Sequence, residues 1–230
     1  MAVLSDGGRR TAEAILGRYP AGRERSAVLP LLYLMQSVEG RLTRDGLREV
    51  GELLGITTAE VEAVASFYTM LRLRPTGKHV VSVCTNLSCA LLGGDDVYAQ
   101  LSKRLGVGHD ETTADGKVTL EHVECNAACD FAPVVMVNWE FMDRMTPTSA
   151  TQLVDDLRSG KEVHSTRGPR IGTWREAERV LAGYPDGRVD EGPGAGHASP
   201  RKSLSTPAMM RRSVLLPAPL LPSTPILAPG

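Results

Sequence analysis

No stretch of these 230 residues approaches about eighteen consecutive apolar positions, so no segment reads as long enough to cross a bilayer. No N-terminal segment combines a basic region, an apolar run and a small-residue cleavage site, and the expected location is cytosolic. Positive charge is not in excess. Lys and Arg number 26 against 27 Asp and Glu, a formal net charge of −1, which argues against a nucleic-acid or anionic-membrane partner. Cysteine is scarce, and four in a chain this long are too few for a disulfide scaffold. No G-x-G-x-x-G follows a strand, and the PTGK at 75–78 lacks the glycine spacing of a phosphate loop. No Ser/His/Asp or Cys/His nucleophile set is suggested. What remains is a chain with 42% hydrophobic residues, enough for a real core, in one large or two small domains.

The four cysteines carry the chemistry. Cys84 and Cys89 stand in VSVCTNLSC with four residues between them, and Cys125 and Cys129 stand in ECNAACD with three. Four thiolates can hold a tetrahedral zinc, a 2Fe–2S or 4Fe–4S cluster, or pair as two disulfides. Structural zinc favours C-x₂-C knuckles, which neither pair has, whereas C-x₄-C opens plant-type 2Fe–2S sites. The spacing favours the cluster over zinc. A thiol–disulfide oxidoreductase is disfavoured because its C-x₂-C motif is missing.

Residues 10–70 read as helices. TAEAILGRY is a first one, ended by Pro20; a second is capped by Ser26, with Pro30 in its tolerant first turn. Its apolar stripe of Val28, Leu31, Leu32 and Met35 closes at Gly40. Thr43 opens a third, with Leu47, Val50, Leu53 and Leu54 inward and Gly55 as its stop. Thr57 and Glu60 form a capping box for a fourth, carrying Val61, Val64, Ala65 and Tyr68. The last two resemble a helix–turn–helix, but Thr57 to Met70 has no Lys or Arg and carries Glu60 and Glu62, so docking to a protein fits better than reading DNA. From Lys78 the period changes. HVVSV is a strand ending at Cys84; a helix from Gly93 to Asp95 onward carries Val97, Tyr98, Leu101 and Leu105; KVTLEHVE is a strand delivering Cys125. PVVMVN is a strand buried on both faces, and a helix runs from Thr148 to Leu157. Residues 171–182 form one more short helix. Beyond Pro185 no segment looks foldable alone, because eight of the fifteen prolines lie after Gly192 and no acidic residue follows Glu191.

CTNLSCALLGGDDVY followed by VECNAACDFAPVVMVN resembles the small 2Fe–2S subunit of the peripheral arm of NADH:quinone oxidoreductase, respiratory complex I. Relatives of that family serve NAD-linked hydrogenases and formate dehydrogenases. The resemblance runs from about Ile15 (ILGRYPAGRERSAVLPLLYLMQ) through ITTAEVEAVASFYTML to about Leu157. The family commonly reads C-L-G-A-C in the second motif; this chain has Asn126 and Ala127 there, and Asn tolerates the left-handed backbone that the missing glycine would supply. The resemblance implies a thioredoxin-like 2Fe–2S ferredoxin domain over 77–160. The element order makes the chain α+β, with a helical docking region over 1–76, and composition reads the extension and proline-rich tail over 161–230 as disordered or as an extended arm lying on a partner. The resemblance further implies that Cys84, Cys89, Cys125 and Cys129 hold one 2Fe–2S cluster close to the FMN of a partner flavoprotein that binds NADH. The implied place is the cytoplasmic side of a membrane complex, peripheral to it. The cluster would sit beside the main electron path, a position usually pictured as temporary electron storage. The alternatives are the equivalent subunit of an NAD-linked hydrogenase or formate dehydrogenase, and a zinc-stapled interaction module.

Two further readings concern the cluster's surroundings. Neither Lys78–Lys103 nor Lys117–Arg144 has a Lys or Arg in its interior, and these windows hold Asp95, Asp96, Glu121, Glu124, Asp130, Glu140 and Asp143. That charge is expected to lower the potential. Among His79, His109, His122, His164 and His197 none lies inside a cysteine loop, and His122, three residues before Cys125, is expected to point to the opposite face.

Overall fold

A computed structural model describes residues 3–188; the tail readings, and His197, lie outside those residues. Four helices come first: α1 (Asp6–Leu16), α2 (Val28–Glu39), α3 (Arg44–Leu54) and α4 (Thr58–Phe67). Local chemistry explains their ends. Ser5, Thr43 and Thr57 each accept a hydrogen bond from the backbone of the first turn, and Thr57 with Glu60 forms a complete capping box. α2 and α3 stop at Gly40 and Gly55, both in left-handed backbone. Two boundaries differ from the sequence reading. α1 begins at Asp6 and ends at Leu16, well before Pro20. Ser26 caps nothing, because a short 3₁₀ turn over Glu24–Ala27 leads into α2. The apolar stripes meet in one core built on Ile15, Leu31, Leu32, Met35, Leu47, Val50 and Val61.

The chain then builds a five-stranded sheet. In order come β1 (His79–Cys84), α5 (Leu87–Leu91), α6 (Gly94–Leu105), β2 (Glu111–Thr112), β3 (Val118–Val123), β4 (Val135–Val137), β5 (Glu140–Met142), α7 (Pro147–Ser159) and α8 (Trp174–Leu181). The sheet order is β2-β3-β1-β4-β5, with β1 and β3 parallel and the other pairs antiparallel. Side chains alternate across it. Val81, Val83, Val118, Leu120, Val135 and Val137 share a core with Val97 and Leu101 of α6 and with Leu153, Val154 and Leu157 of α7. β4 is buried throughout, as its apolar run implied.

The opposite face of β1 and β3 is buried too, but polar. Ser82 and Glu121 are register partners; the Ser82 hydroxyl donates to Glu121 Oε1 at 2.6 Å, and Arg72 donates to Glu121 Oε2 at 2.7 Å. Arg72 belongs to the segment after α4, where the Gln36 side chain accepts from its N–H and donates to the Met70 carbonyl. α8 packs against α2 and brings Trp174 to 5.6 Å from the Arg72 guanidinium. Glu178 is fully buried there, with neither carboxyl oxygen hydrogen-bonded. Burial pushes its carboxyl up to about 8, partly offset by the neighbouring Trp174 side chain and the charges of Arg175 and Arg72. Among the described residues no helix is long and apolar enough to cross a membrane.

Candidate functional site

β1 and β3 run side by side in parallel and end together, Cys84 opposite Val123, so both cysteine segments leave the same edge of the sheet. Pairing explains their proximity. Cys84 is the last residue of β1, and its N–H donates to the Val134 carbonyl at 3.0 Å. Asn86 caps α5 through its side chain, and Cys89 sits in that five-residue helix. The sequence reading placed no helix here, since five residues are too few to display a period. Cys84 and Cys89 are 3% and 2% exposed and pack with Ala128 and Val134. Burial pushes the Cys89 thiol up to about 11; the Val134 N–H pulls it down, while the Cys84 and Cys129 sulfurs push it further up.

Gly94 is what lets α6 start so close. A Cβ at that position would lie 2.7 Å from the Cys84 carbonyl oxygen and 2.8 Å from that of Cys89. No side chain fits between the helix and the two cysteine carbonyls.

The second pair is held differently. Cys125 and Cys129 are exposed, in the irregular stretch between β3 and β4. Ala127 N–H points at Cys125 Sγ, 3.3 Å away, and a 3₁₀ turn spans Cys129–Phe131. The left-handed residue in this loop is Ala127, at φ +51°, and not Asn126 as the sequence suggested. Ala127 occupies the glycine's place in the family pattern, so a Cβ is carried where it costs about 1 kcal/mol or more. Two residues after Cys129, Phe131 lies under two guanidinium groups, Arg144 at 5.4 Å and Arg167 at 5.5 Å from its ring centre.

The acidic surroundings read from sequence are partly neutralised by long-range partners. Glu121 is paired with Arg72 and Asp143 with Arg167, two arginines from outside the windows that lack them. The expected lowering of potential by seven carboxylates therefore loses two of its contributors. His122 stacks edge-on against Tyr98 of α6 and beside His109, away from the cysteine loops. His79 is buried and hydrogen-bonded to Asn138, and His164 lies in an exposed turn. Among the described residues no three His, Cys, Asp or Glu side chains converge as they would around a single metal ion.

The donor set, four thiols delivered at one end of the sheet, is one that a 2Fe–2S cluster takes. Two sulfurs receive backbone N–H groups, from Ala127 and Val134, as electron-rich sulfur requires. Fold and cysteine pattern place this among small electron-carrying proteins, and residues 12–158 match the family described as thioredoxin-like [2Fe-2S] ferredoxin. The chain belongs to that family. An NADH-quinone oxidoreductase subunit from Mycobacterium tuberculosis is 59% identical over 183 residues, 80% of this chain and 72% of the relative. Another, from Thermus thermophilus, is 37% identical over 158 residues, 68% of this chain and 87% of the relative. Among solved structures, an NAD⁺-reducing [NiFe]-hydrogenase superposes with a TM-score of 0.53 at 20% identity, over 58% of this chain and 23% of that one. That likeness is one of fold.

Proposed function

We propose that this chain is the electron-transfer subunit of an NADH:quinone oxidoreductase, with Cys84, Cys89, Cys125 and Cys129 holding one 2Fe–2S cluster. The observation that carries this is the delivery of both thiol pairs from the paired ends of β1 and β3. Such a cluster supplies one-electron transfer and no hydride chemistry. The protein's own part is to hold the sulfurs and exclude water. Val134 and Ala127 donate N–H groups to sulfur, Gly94 admits α6 against the first loop, and Phe131 and Phe141 pack against the buried group of Cys84, Cys89, Ala128 and Val134.

Hydride exchange with NADH needs a flavin, and among the described residues no flavin site is recognisable, so a flavoprotein carrying FMN is the proposed partner. Leu87, Leu91 and Leu92 flank Cys89 and are 70%, 77% and 61% exposed, an apolar rim placed to meet that partner close to the thiols. Phe67 and Tyr68, edge to face at 5.1 Å at the end of α4, offer a second exposed apolar contact on the helical region. The assembly would be peripheral to the cytoplasmic face of the membrane. The level of identity to the quinone-reducing subunits favours this reading over a hydrogenase counterpart.

Anaerobically purified protein should carry about two irons and two acid-labile sulfides per chain, and a Ser at any of the four cysteines should bleach or distort the visible spectrum. Leu91→Glu should keep the cluster and weaken co-purification with the flavoprotein. Stoichiometric zinc without sulfide would overturn the proposal.

A further inference from the structure

Arg167 lies beyond residue 158, where the family match ends, and is bound more tightly than a surface arginine needs to be. The chain makes a narrow turn to present it. Ser165 N–H donates to the Pro169 carbonyl at 2.8 Å, Arg167 N–H donates to Ser165 Oγ at 3.0 Å, and an antiparallel bridge joins His164 to Arg170. Thr166 fastens this turn to β5: its N–H and hydroxyl both donate to the Phe141 carbonyl, and its hydroxyl oxygen accepts from Asp143 N–H. The Arg167 guanidinium then forks onto Asp143, Nε to Oδ2 at 3.0 Å and Nη2 to Oδ1 at 2.9 Å. Its flat face lies 3.9 Å from the Phe141 ring centre and 5.5 Å from that of Phe131. Both rings pack against the cluster formed by Cys84, Cys89, Ala128 and Val134.

We propose that Arg167 is a positioning residue for the second cysteine pair, fixing Phe131 and thereby Cys129 from outside the ferredoxin fold. The physical need is plain. Residues 124–132 lie outside the strands, so ladder bonds do not set their shape. A planar fork held by two hydrogen bonds is a rigid plate, and stacking on Phe131 and Phe141 gains energy that a mobile side chain would not. The Arg144 guanidinium also lies 5.4 Å from the Phe131 ring centre, and its backbone N–H donates to the Phe131 carbonyl at 2.8 Å. The turn over 164–170 is in this sense part of the site, although it contributes no ligand.

The inference rests on the four-cysteine cluster reading, and the test separates the two. Arg167→Met keeps the apolar length and removes the fork; Arg158→Met, which breaks an Arg–Asp pair elsewhere whose two donors share one Asp115 oxygen, is the stability control. In full-length protein carrying the cluster, Arg167→Met should release iron to a chelator about tenfold faster than wild type, the scale of losing a supporting contact around a metal site. Its visible circular dichroism should change, and its Tm should stay close to that of Arg158→Met. In cluster-free full-length protein, Cys129 should be alkylated faster in Arg167→Met than in wild type. Should Arg167→Met fail to fold, Arg167→Lys, which keeps charge but not the fork, should show both changes to a smaller degree. Iron release, dichroism and Cys129 alkylation all matching Arg158→Met would overturn the inference. Wild-type protein without iron and sulfide would overturn the cluster reading, while faster alkylation of Cys129 would still show that Arg167 positions the loop.

Discussion

The two cysteine pairs sit at the ends of neighbouring strands, yet they are built in opposite ways. The first is local and buried: a strand end, a five-residue helix and a glycine contact place Cys84 and Cys89 within eleven residues, Cys84 to Gly94. The second is exposed and irregular, with one left-handed alanine, and takes its shape from side chains as distant as Arg167. A rigid half and a supported half can together grip one group while leaving one face open to a partner. The deeper pair fixes position, and the outer pair can be tuned from elsewhere in the chain.

The largest effect should come from breaking the rigid half. Gly94→Ala drives a Cβ against two backbone carbonyls that cannot rotate away, costing about 3 kcal/mol or more. Cluster content should fall to near zero while the second loop's sequence is untouched; normal iron content in this variant would show that the first pair is not rigid. A comparable effect should arise at the α2–α8 seam, apart from both loops. The Glu178 carboxyl is raised from 4.5 to about 8, so the folded chain holds a proton that the unfolded chain gives up between those values. Stability should therefore be greatest below about pH 4.5 as far as this group decides it, and fall as pH rises to about 8. The loss is on the order of 3 kcal/mol after allowing about one unit for the size of the shift. Glu178→Gln should flatten denaturant-midpoint curves across that range. An unchanged slope would mean that Glu178 is not the titrating group.

Alkylation gives the direct reading of the contrast. In cluster-free protein the two exposed thiols should react with iodoacetamide well before the two buried ones. For Cys89 the rise from 9.0 to about 11 alone cuts the thiolate fraction about a hundredfold at neutral pH. Peptide mapping that found Cys84 and Cys89 modified first would reverse the comparison. The smallest effect belongs to Ala127→Gly, which removes a left-handed Cβ from the supported half and should raise stability by about 0.5–1 kcal/mol. A loss of stability or of cluster would show that the alanine side chain is needed there.

How much of this was legible in the chain follows from how local each signal is. Thr57 with Glu60, Gly40, Gly55 and the apolar stripes of α2–α4 announce themselves within a few residues, and the structure bears them out except at Tyr68, which lies past the end of α4 in extended backbone and is exposed. The strands ending at the cysteines were legible for the same reason. Ser26 misled because a 3₁₀ turn satisfies that helix start without a side-chain cap. β5 was missed because its link to β4 is a two-residue turn, Asn138 and Trp139 at φ +50° and +72°, and tryptophan is no turn signal. Propensity alone points to Asn126 as the left-handed residue, whereas the family pattern puts it at Ala127. The pairs Arg72–Glu121 and Arg167–Asp143 join residues 49 and 24 positions apart, a separation at which the sequence gives no partner. Those pairs are what turned a seemingly acidic surrounding into a partly neutral one.

The most direct test of four thiolates around one 2Fe–2S cluster is an anaerobic redox titration of the isolated full-length protein, followed by EPR. Thiolate ligation alone puts such clusters near −400 mV, and replacing two cysteines by histidines raises them to about −150 mV or above. One reduced-state signal with a midpoint near the thiolate value is the predicted result. It should vanish in Cys84→Ser and Cys129→Ser alike, since one comes from each pair. A midpoint in the histidine-ligated range, or a signal that survives either substitution unchanged, would contradict the account.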